Sequence, residues 1–412
     1  MFRSSKSATV SMSLLVAVSA QVALPCHAAD EYSLIPTVTE AIPISPVTAG
    51  SSWPAVNRKT GRVYIANNGQ NSPDPNTPGG AGSSVTVIDG ATDRVIDTIA
   101  IPYVLPLVPN PPGPSQIAID EERNILYVAT IHGAIAVVDG TTNRVTDFFV
   151  VESNDNSSDG LDLRSIVRSK KTGKLYASAS EIEIVVDDPK THTVLKRIPN
   201  PAAGPLSIDQ TLNRIYTSGN AGSGSFNGVM VIDGNTDEVK TIIPTFGSNL
   251  EGSAVDEQLH HLYIAGELGG GFVTIDTWTN TVINGDKVWA QQFSGFGVDV
   301  DPVSHGVYST EYSGALSVID GWTGALVASN IQVAPVCDTA QCSYFVDSVN
   351  FDALAQNLAV NKTTGKIYVA DFGFAAYLPY GGPSVVTVLQ IPCLLGGNAA
   401  QQAKPSDRRD CP

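Results

Sequence analysis

A set of polar residues occupies one recurring place in the chain, and their types are those of a binding or acid–base site. Asn67, His132, Glu181, Asn220, Glu267, Glu311 with Tyr312, and Asp371 each come at or just after the end of a short β-rich run, such as Val63-Tyr64-Ile65-Ala66. Trp53, Gln116, Arg164, Glu251 and Phe296 occupy a second recurring place, at the start of another run in the same pattern. Carboxylates, an imidazole, a guanidinium and aromatic rings brought to one funnel would suit a small ligand or a hard cation such as calcium or magnesium. Carboxylates in a ring repel one another, which raises some of their pKa values or recruits a cation. Glu267, Glu311 and Asp371 are the candidate metal ligands. Glu267 or Glu311, with His132 as complement, are the candidate catalytic acid and base. The ligand-binding set is Asn67, His132, Arg164, Glu181, Glu267, Glu311, Tyr312 and Asp371. The competing reading of the same residues is a solvated acidic rim.

Other chemistries find less support. Asp155 to Asp162 places oxygen ligands at alternating positions before a Gly, like the first half of a calcium loop. Its twelfth position is Ile166 where the bidentate Glu should stand, so a metal-free polar loop is the better reading. No Gly-rich phosphate loop leads from a strand into a helix, and no Gly-x-Ser-x-Gly elbow or Cys-x-x-Cys-His site occurs. His192, His260, His261 and His305 are scattered over short turns, with His260-His261 read as an exposed turn.

The elements that must position these residues are repeated. In one unit the strands are Gln116 to Asp120, Ile125 to Thr130, Ala134 to Asp139 and Arg144 to Val151, joined by Glu121-Glu122-Arg123-Asn124 and Gly140-Thr141-Thr142-Asn143. Second-strand tyrosines mark seven units, at Tyr64, Tyr127, Tyr176, Tyr216, Tyr263, Tyr308 and Tyr368. Third strands end at Asp89, Asp139, Asp187, Asp233, Asp276, Asp320 and a degenerate Leu389. Four short antiparallel strands per unit, with almost no helical periodicity, predict an all-β fold, a seven-bladed β-propeller. The last unit lacks a fourth strand, and Thr37 to Ile44 is a spare one. It is expected to become the outer strand of the seventh blade and close the ring.

The runs Tyr64-Ile65-Ala66-Asn67 and Tyr368-Val369-Ala370-Asp371, each leading to a Val-x-Val-Ile-Asp type of strand, resemble the YVTN repeat family of exported seven-bladed propellers, also found in surface-layer proteins. The resemblance covers nearly all of the mature chain. It implies fold and export; it implies no reaction, because the repeated Asp-Gly and Tyr positions are structural.

Arg3 and Lys6, the apolar stretch from Ala8 to Leu24 and the small residues up to Ala29 read as a signal peptide over 1–29. The propeller is expected over 30–392, and 393–412 is a tail tied by a disulfide. After cleavage Cys337, Cys342, Cys393 and Cys411 remain; pairing within the first two and within the last two is favoured among three possibilities. No apolar stretch is long enough for a membrane span. With 40 acidic and 24 basic residues the net charge is −16, which disfavours nucleic acid and anionic lipid as partners. The expected product is a monomer, periplasmic or extracellular.

Every long connection belongs to one face: 68–83, 101–113, 151–162, 334–356 and 372–383. Long loops on a rigid scaffold are where binding resides. The expectation is therefore a propeller that binds a small molecule, or an envelope protein or polymer, on this face without chemistry of its own. The rival is a propeller enzyme, resembling lactonase-like hydrolases or lyases, with carboxylates and a divalent cation at the channel mouth.

Overall fold

The protein is described by a computed structural model covering residues 34–44, 51–68, 83–102, 113–131, 133–151, 163–179, 183–200, 204–219, 228–245, 250–266, 271–285, 295–311, 314–333, 345–346, 349–350, 355–371 and 385–392. Blade 1 is β2 (Ser51–Asn57), β3 (Arg62–Asn68), β4 (Ser83–Asp89) and β5 (Arg94–Ala100). Blade 2 is β6 (Pro114–Asp120), β7 (Ile125–Thr130), β8 (Ala134–Asp139) and β9 (Arg144–Val150). Blade 3 is β10 (Leu163–Arg168), β11 (Leu175–Ala179), β12 (Glu183–Asp188) and β13 (Thr193–Pro199). Blade 4 is β14 (Leu206–Asp209), β15 (Arg214–Ser218), β16 (Gly228–Asp233) and β17 (Glu238–Pro244). Blade 5 is β18 (Leu250–Asp256), β19 (His261–Gly266), β20 (Gly271–Asp276) and β21 (Thr281–Gly285). Blade 6 is β22 (Gly295–Asp301), β23 (Gly306–Glu311), β24 (Ala315–Asp320) and β25 (Leu326–Gln332). Blade 7 is β28 (Ala355–Asn361), β29 (Lys366–Asp371) and β30 (Val385–Gln390), with β1 (Thr37–Pro43) paired antiparallel to β30 as its outer strand. A separate antiparallel pair joins β26 (Phe345–Val346) to β27 (Val349–Asn350). The expected ring closure by the N-terminal strand is therefore present.

The first strand of each blade packs on the first strand of the next, and β28 returns to β2, so these strands form the innermost layer. Strands in the middle of a blade are covered on both faces, which is why β7 and β11 read as unbroken small and apolar runs. Outer strands such as β5 and β17 are mostly exposed. The described core falls into seven clusters, each spanning one seam between neighbouring blades. Each fully buried Val, Leu or Ile there contributes about 1.5–3 kcal/mol.

At the tight-turn end, polar latches cross the seams. Tyr176 donates to the Gly234 carbonyl and to Asp237 of blade 4, while Lys174 pairs with the same Asp237 at 2.5 Å. Tyr263 donates to the Gly321 carbonyl at 2.9 Å. Tyr368 reaches Asp93 at 2.9 Å, with Lys366 on the same carboxylate at 2.6 Å. Arg62 and Arg214 donate in the same way to the carbonyls of Gly140 and Thr277. Tyr308 instead donates to the Leu34 carbonyl at 3.1 Å, because the N-terminal segment stands there in blade 7. The Gly of each Asp-Gly pair is required by clearance: a Cβ on Gly90 would lie 2.3 Å from the Gly61 carbonyl, and one on Gly321 2.5 Å from that of His305.

Third strands end one residue later than expected in two blades. Lys366 pairs with Gln390, as Arg62 does with Asp89, so Gln390 rather than Leu389 ends β30. In blade 3 Leu175 pairs with Asp187, so the turn-capping residue is Asp188, whose Oδ1 accepts from Lys190 N at 2.9 Å. His261 is also not part of an exposed turn: it starts β19, and its Nδ1 lies 3.2 Å from the Tyr263 hydroxyl.

The latches predict that Tyr368→Phe, at the seam that closes the ring, lowers the unfolding free energy by about 1–3 kcal/mol. Urea denaturation checks this, and an unchanged midpoint would remove the latch from the account of stability.

Candidate functional site

Strand register brings the two predicted residue sets to one end of the ring. The pairs Ser51↔Asn67, Leu163↔Ala179, Gly295↔Glu311 and Ala355↔Asp371 set first-strand starts beside second-strand ends. This end carries the long connections; the other carries only the turns that follow the Asn, Asp and Ser caps. Six first strands also break register near their start, between Ser51/Trp53, Pro114/Ile117, Leu163/Ser165, Leu250/Gly252, Gly295/Val298 and Ala355/Asn357. Such bulges add a residue to the innermost strand and re-aim its side chains, and they concentrate at barrel rims and active sites. The residues they carry include Gln116, Arg164, Glu251 and Phe296. Arg164 is exposed, and Glu251 and Phe296 are partly exposed.

Several of the predicted residues are held by bonds within or between blades. Asn67 is fully buried and donates to the hydroxyls of Ser84 at 3.1 Å and Thr86 at 2.9 Å, within its own blade. Gln116 accepts from Ser165 Oγ at 2.5 Å and Ile166 N at 2.6 Å, which ties blade 2 to blade 3. Glu311 is buried at the end of β23 and accepts from the Ser317 hydroxyl. Asp371 ends β29, and its side chain lies outside the described residues, as do His132, Glu181, Asn220, Glu267, Tyr312, the loop 155–162 and all the cysteines. Among the described residues no three His, Cys, Asp or Glu side chains gather to hold a metal. No described helix is long and apolar enough to cross a membrane.

At the opposite mouth the first residues of the tight turns link neighbouring blades. Arg58 grips Glu121 through Nε at 2.9 Å and Nη2 at 3.0 Å, and Lys170 adds its Nζ at 3.4 Å. Lys170 N donates to Gln210 at 2.9 Å, and Gln210 N to Glu257 at 3.1 Å. Burial alone would raise the Glu121 carboxyl, but the Arg58 bonds and charge override it and hold it at about 2. These charges satisfy one another from blade to blade.

Two acidic residues of blade 3 differ from the sequence reading, which does not single out Glu183 and takes Asp187 as a strand end. Glu183 opens β12, at the position where the other blades have Ser84, Ala134, Gly228, Gly271, Ala315 and Val385. It is buried and bonded to Arg197. Asp187 stands where the others place Ile88, Val138, Ile232, Ile275, Ile319 and Leu389, and is 1% exposed. Alternation along β12 puts Glu183, Val185 and Asp187 on the face toward blade 2, and the pairing of Val185 with Arg197 sets that guanidinium on the same face. Neither Asp187 oxygen has a hydrogen-bond partner among the described residues. Burial pushes its carboxyl up to about 7, and the Arg197 charge only partly offsets this. Aligning the third strands on their turns would have exposed both residues.

No family model matches the chain. Two curated relatives, both uncharacterized protein YncE, come from Salmonella typhi and Salmonella typhimurium (strain LT2). Each is 26% identical to it over 233 residues, 52% of this chain. The chain spans 64% of the length of these relatives. Both are uncharacterized, so the similarity brings no reaction with it.

Because the folded Asp187 carboxyl binds a proton more tightly than an unfolded one, its contribution is full below about pH 4 and is lost as pH rises through about 7. Asp187→Leu is expected to unfold later than the parent at pH 8, by a few kcal/mol, and to narrow that gap at about pH 4.5. Urea midpoints at the two pH values check this; a gap that does not change with pH would refute it.

Proposed function

We propose that this chain is an exported, monomeric propeller of the YVTN type that binds a ligand or partner at its bulged, long-connection end and performs no chemistry of its own. The observation that carries the reading is the set of six first-strand bulges at that end, each adding a residue to an innermost strand, while the opposite mouth is laced by mutual ion pairs. A scaffold this rigid, with its long connections at one end, keeps such a mouth in a fixed shape and lowers the ordering cost of binding. Arg164, Glu251 and Phe296 supply a guanidinium, a carboxylate and a ring there. The occupant is a small molecule or an envelope protein or polymer. If it is or includes a hard cation, calcium or magnesium, then Glu267, Glu311 and Asp371 are its ligands. Signal cleavage near residue 29 and disulfides among Cys337, Cys342, Cys393 and Cys411 belong to the same exported state.

The test is thermal unfolding of the mature protein after chelation, then with calcium, magnesium and a panel of small metabolites added singly. A ligand that raises the melting temperature of the parent should lose most of that effect in Arg164→Ala and Glu251→Ala, whose own melting temperatures stay near the parent's. A stabilising ligand whose effect survives both substitutions would place binding elsewhere and overturn the proposal.

A further inference from the structure

Arg164 is exposed in a strand start that is otherwise shut away from solvent. Leu163, Ser165 and Ile166 beside it are 0%, 0% and 2% exposed. Arg164 is the extra residue of the blade 3 bulge, between Leu163 and Ser165. The matching bulges of blades 5 and 6 carry Glu251 and Phe296, so the backbone at this place does not call for a guanidinium.

Side chains and amides of both neighbouring blades hold that bulge. On the blade 2 side, Ser115 Oγ donates to the Leu163 carbonyl, just before Arg164. Gln116 Oε1, from the same blade 2 bulge, accepts from Ser165 Oγ at 2.5 Å and from Ile166 N at 2.6 Å, just after it. On the blade 4 side, Leu206 N donates to Ser165 Oγ at 2.8 Å. The Ser165 hydroxyl therefore gives its proton to blade 2 and accepts one from blade 4. Loss of the Gln116 acceptor would strand a buried hydroxyl and a buried N–H, and with them the backbone that carries Arg164.

A guanidinium whose backbone is fixed on both sides has only its own torsions left to order on contact, which lowers the cost of binding. Its N–H donors form a planar fork that meets the oxygens of a carboxylate or a phosphate in pairs. The net charge of −16 opposes an anion at a distance, but salt screens that field beyond about 8 Å. The fork acts at contact, inside that distance.

We propose that Gln116, with Ser115 and Ser165, is a positioning residue for Arg164, and that the bulged mouth receives the carboxylate or phosphate group of a small organic anion on the Arg164 guanidinium. This rests on the reading of that end as a binding mouth and names the chemistry of its ligand.

Isothermal titration calorimetry of the full chain with succinate, citrate and glycerol 3-phosphate tests this, with glycerol as the uncharged control. At least one of these anions binds the parent, and which of them binds separates a carboxylate site from a phosphate site. Arg164→Ala abolishes the binding, and Arg164→Lys, which keeps the charge but not the fork, weakens it several-fold. Gln116→Leu and Ser165→Ala each weaken it several-fold, and Gln116→Glu, which keeps an acceptor, recovers most of it. Ser253→Ala breaks a comparable bond between blades, Ser253 Oγ to Ser207 Oγ at 3.1 Å, and leaves the binding unchanged. Urea midpoints check that the variants are folded. Binding that survives Arg164→Ala overturns the proposal, as does an equal loss in Ser253→Ala and Gln116→Leu, which would make Gln116 a structural tie and nothing more. A parent that binds none of the anions overturns it too; if that parent still binds calcium or a neutral metabolite, and loses it in Glu251→Ala, the binding mouth stands without an anionic ligand.

Discussion

A four-stranded blade with two apolar faces cannot stand alone in water, and everything else in this protein follows from how those faces are covered. Each middle strand is buried on both sides, so its face toward one neighbour is as apolar as its face toward the other. Only a closed ring leaves no blade with a bare side. The closing seam is therefore as important as the other six, although its strands come from opposite ends of the chain. Pairing β1 with β30 completes the seventh blade and removes a strand edge that would otherwise invite pairing with another molecule.

Closure also explains why the two ends of the ring differ. At the tight-turn end, latches from Lys174, Tyr176, Tyr263, Lys366 and Tyr368 reach the last turn of the next blade. That turn lies close against the first turn of its own blade, close enough that Gly90 and Gly321 have no room for a Cβ. The first residues of these turns then bond from blade to blade, as Arg58, Glu121 and Lys170 do. At the other end Gln116 and Ser115 also tie blade 2 to blade 3, yet the first strands there bulge and the connections lengthen without loss of the ring.

Blade 3 departs from this economy. It buries Glu183 and Asp187 on one face of β12, toward blade 2, with Arg197 committed to the first of them. On the same seam His192 stacks on Phe149 with centroids 5.0 Å apart, and its Nε2 lies 3.5 Å from Asp147. A buried carboxylate without a hydrogen-bond partner among the described residues costs stability at neutral pH.

The sequence by itself determined the repeat, the blade count and the ring closure, because strand periodicity, turn residues and the recurring tyrosines are local signals that act before any long-range contact forms. It also marked which end carries the long connections, since loop length needs no coordinates. Register was only partly legible. Val185-Val186-Asp187-Asp188 offers two acids to one capping site, and only pairing with β11 decides that Asp188 caps and Asp187 is buried. Side-chain fate was not legible at all: Asn67 reads as a mouth residue, yet hydroxyls on the neighbouring strand draw it into the blade. The bulges, the latches and the ties on either side of Arg164 were likewise decided by tertiary structure. Each depends on distances between segments far apart in the chain, and those distances exist only once the ring has closed.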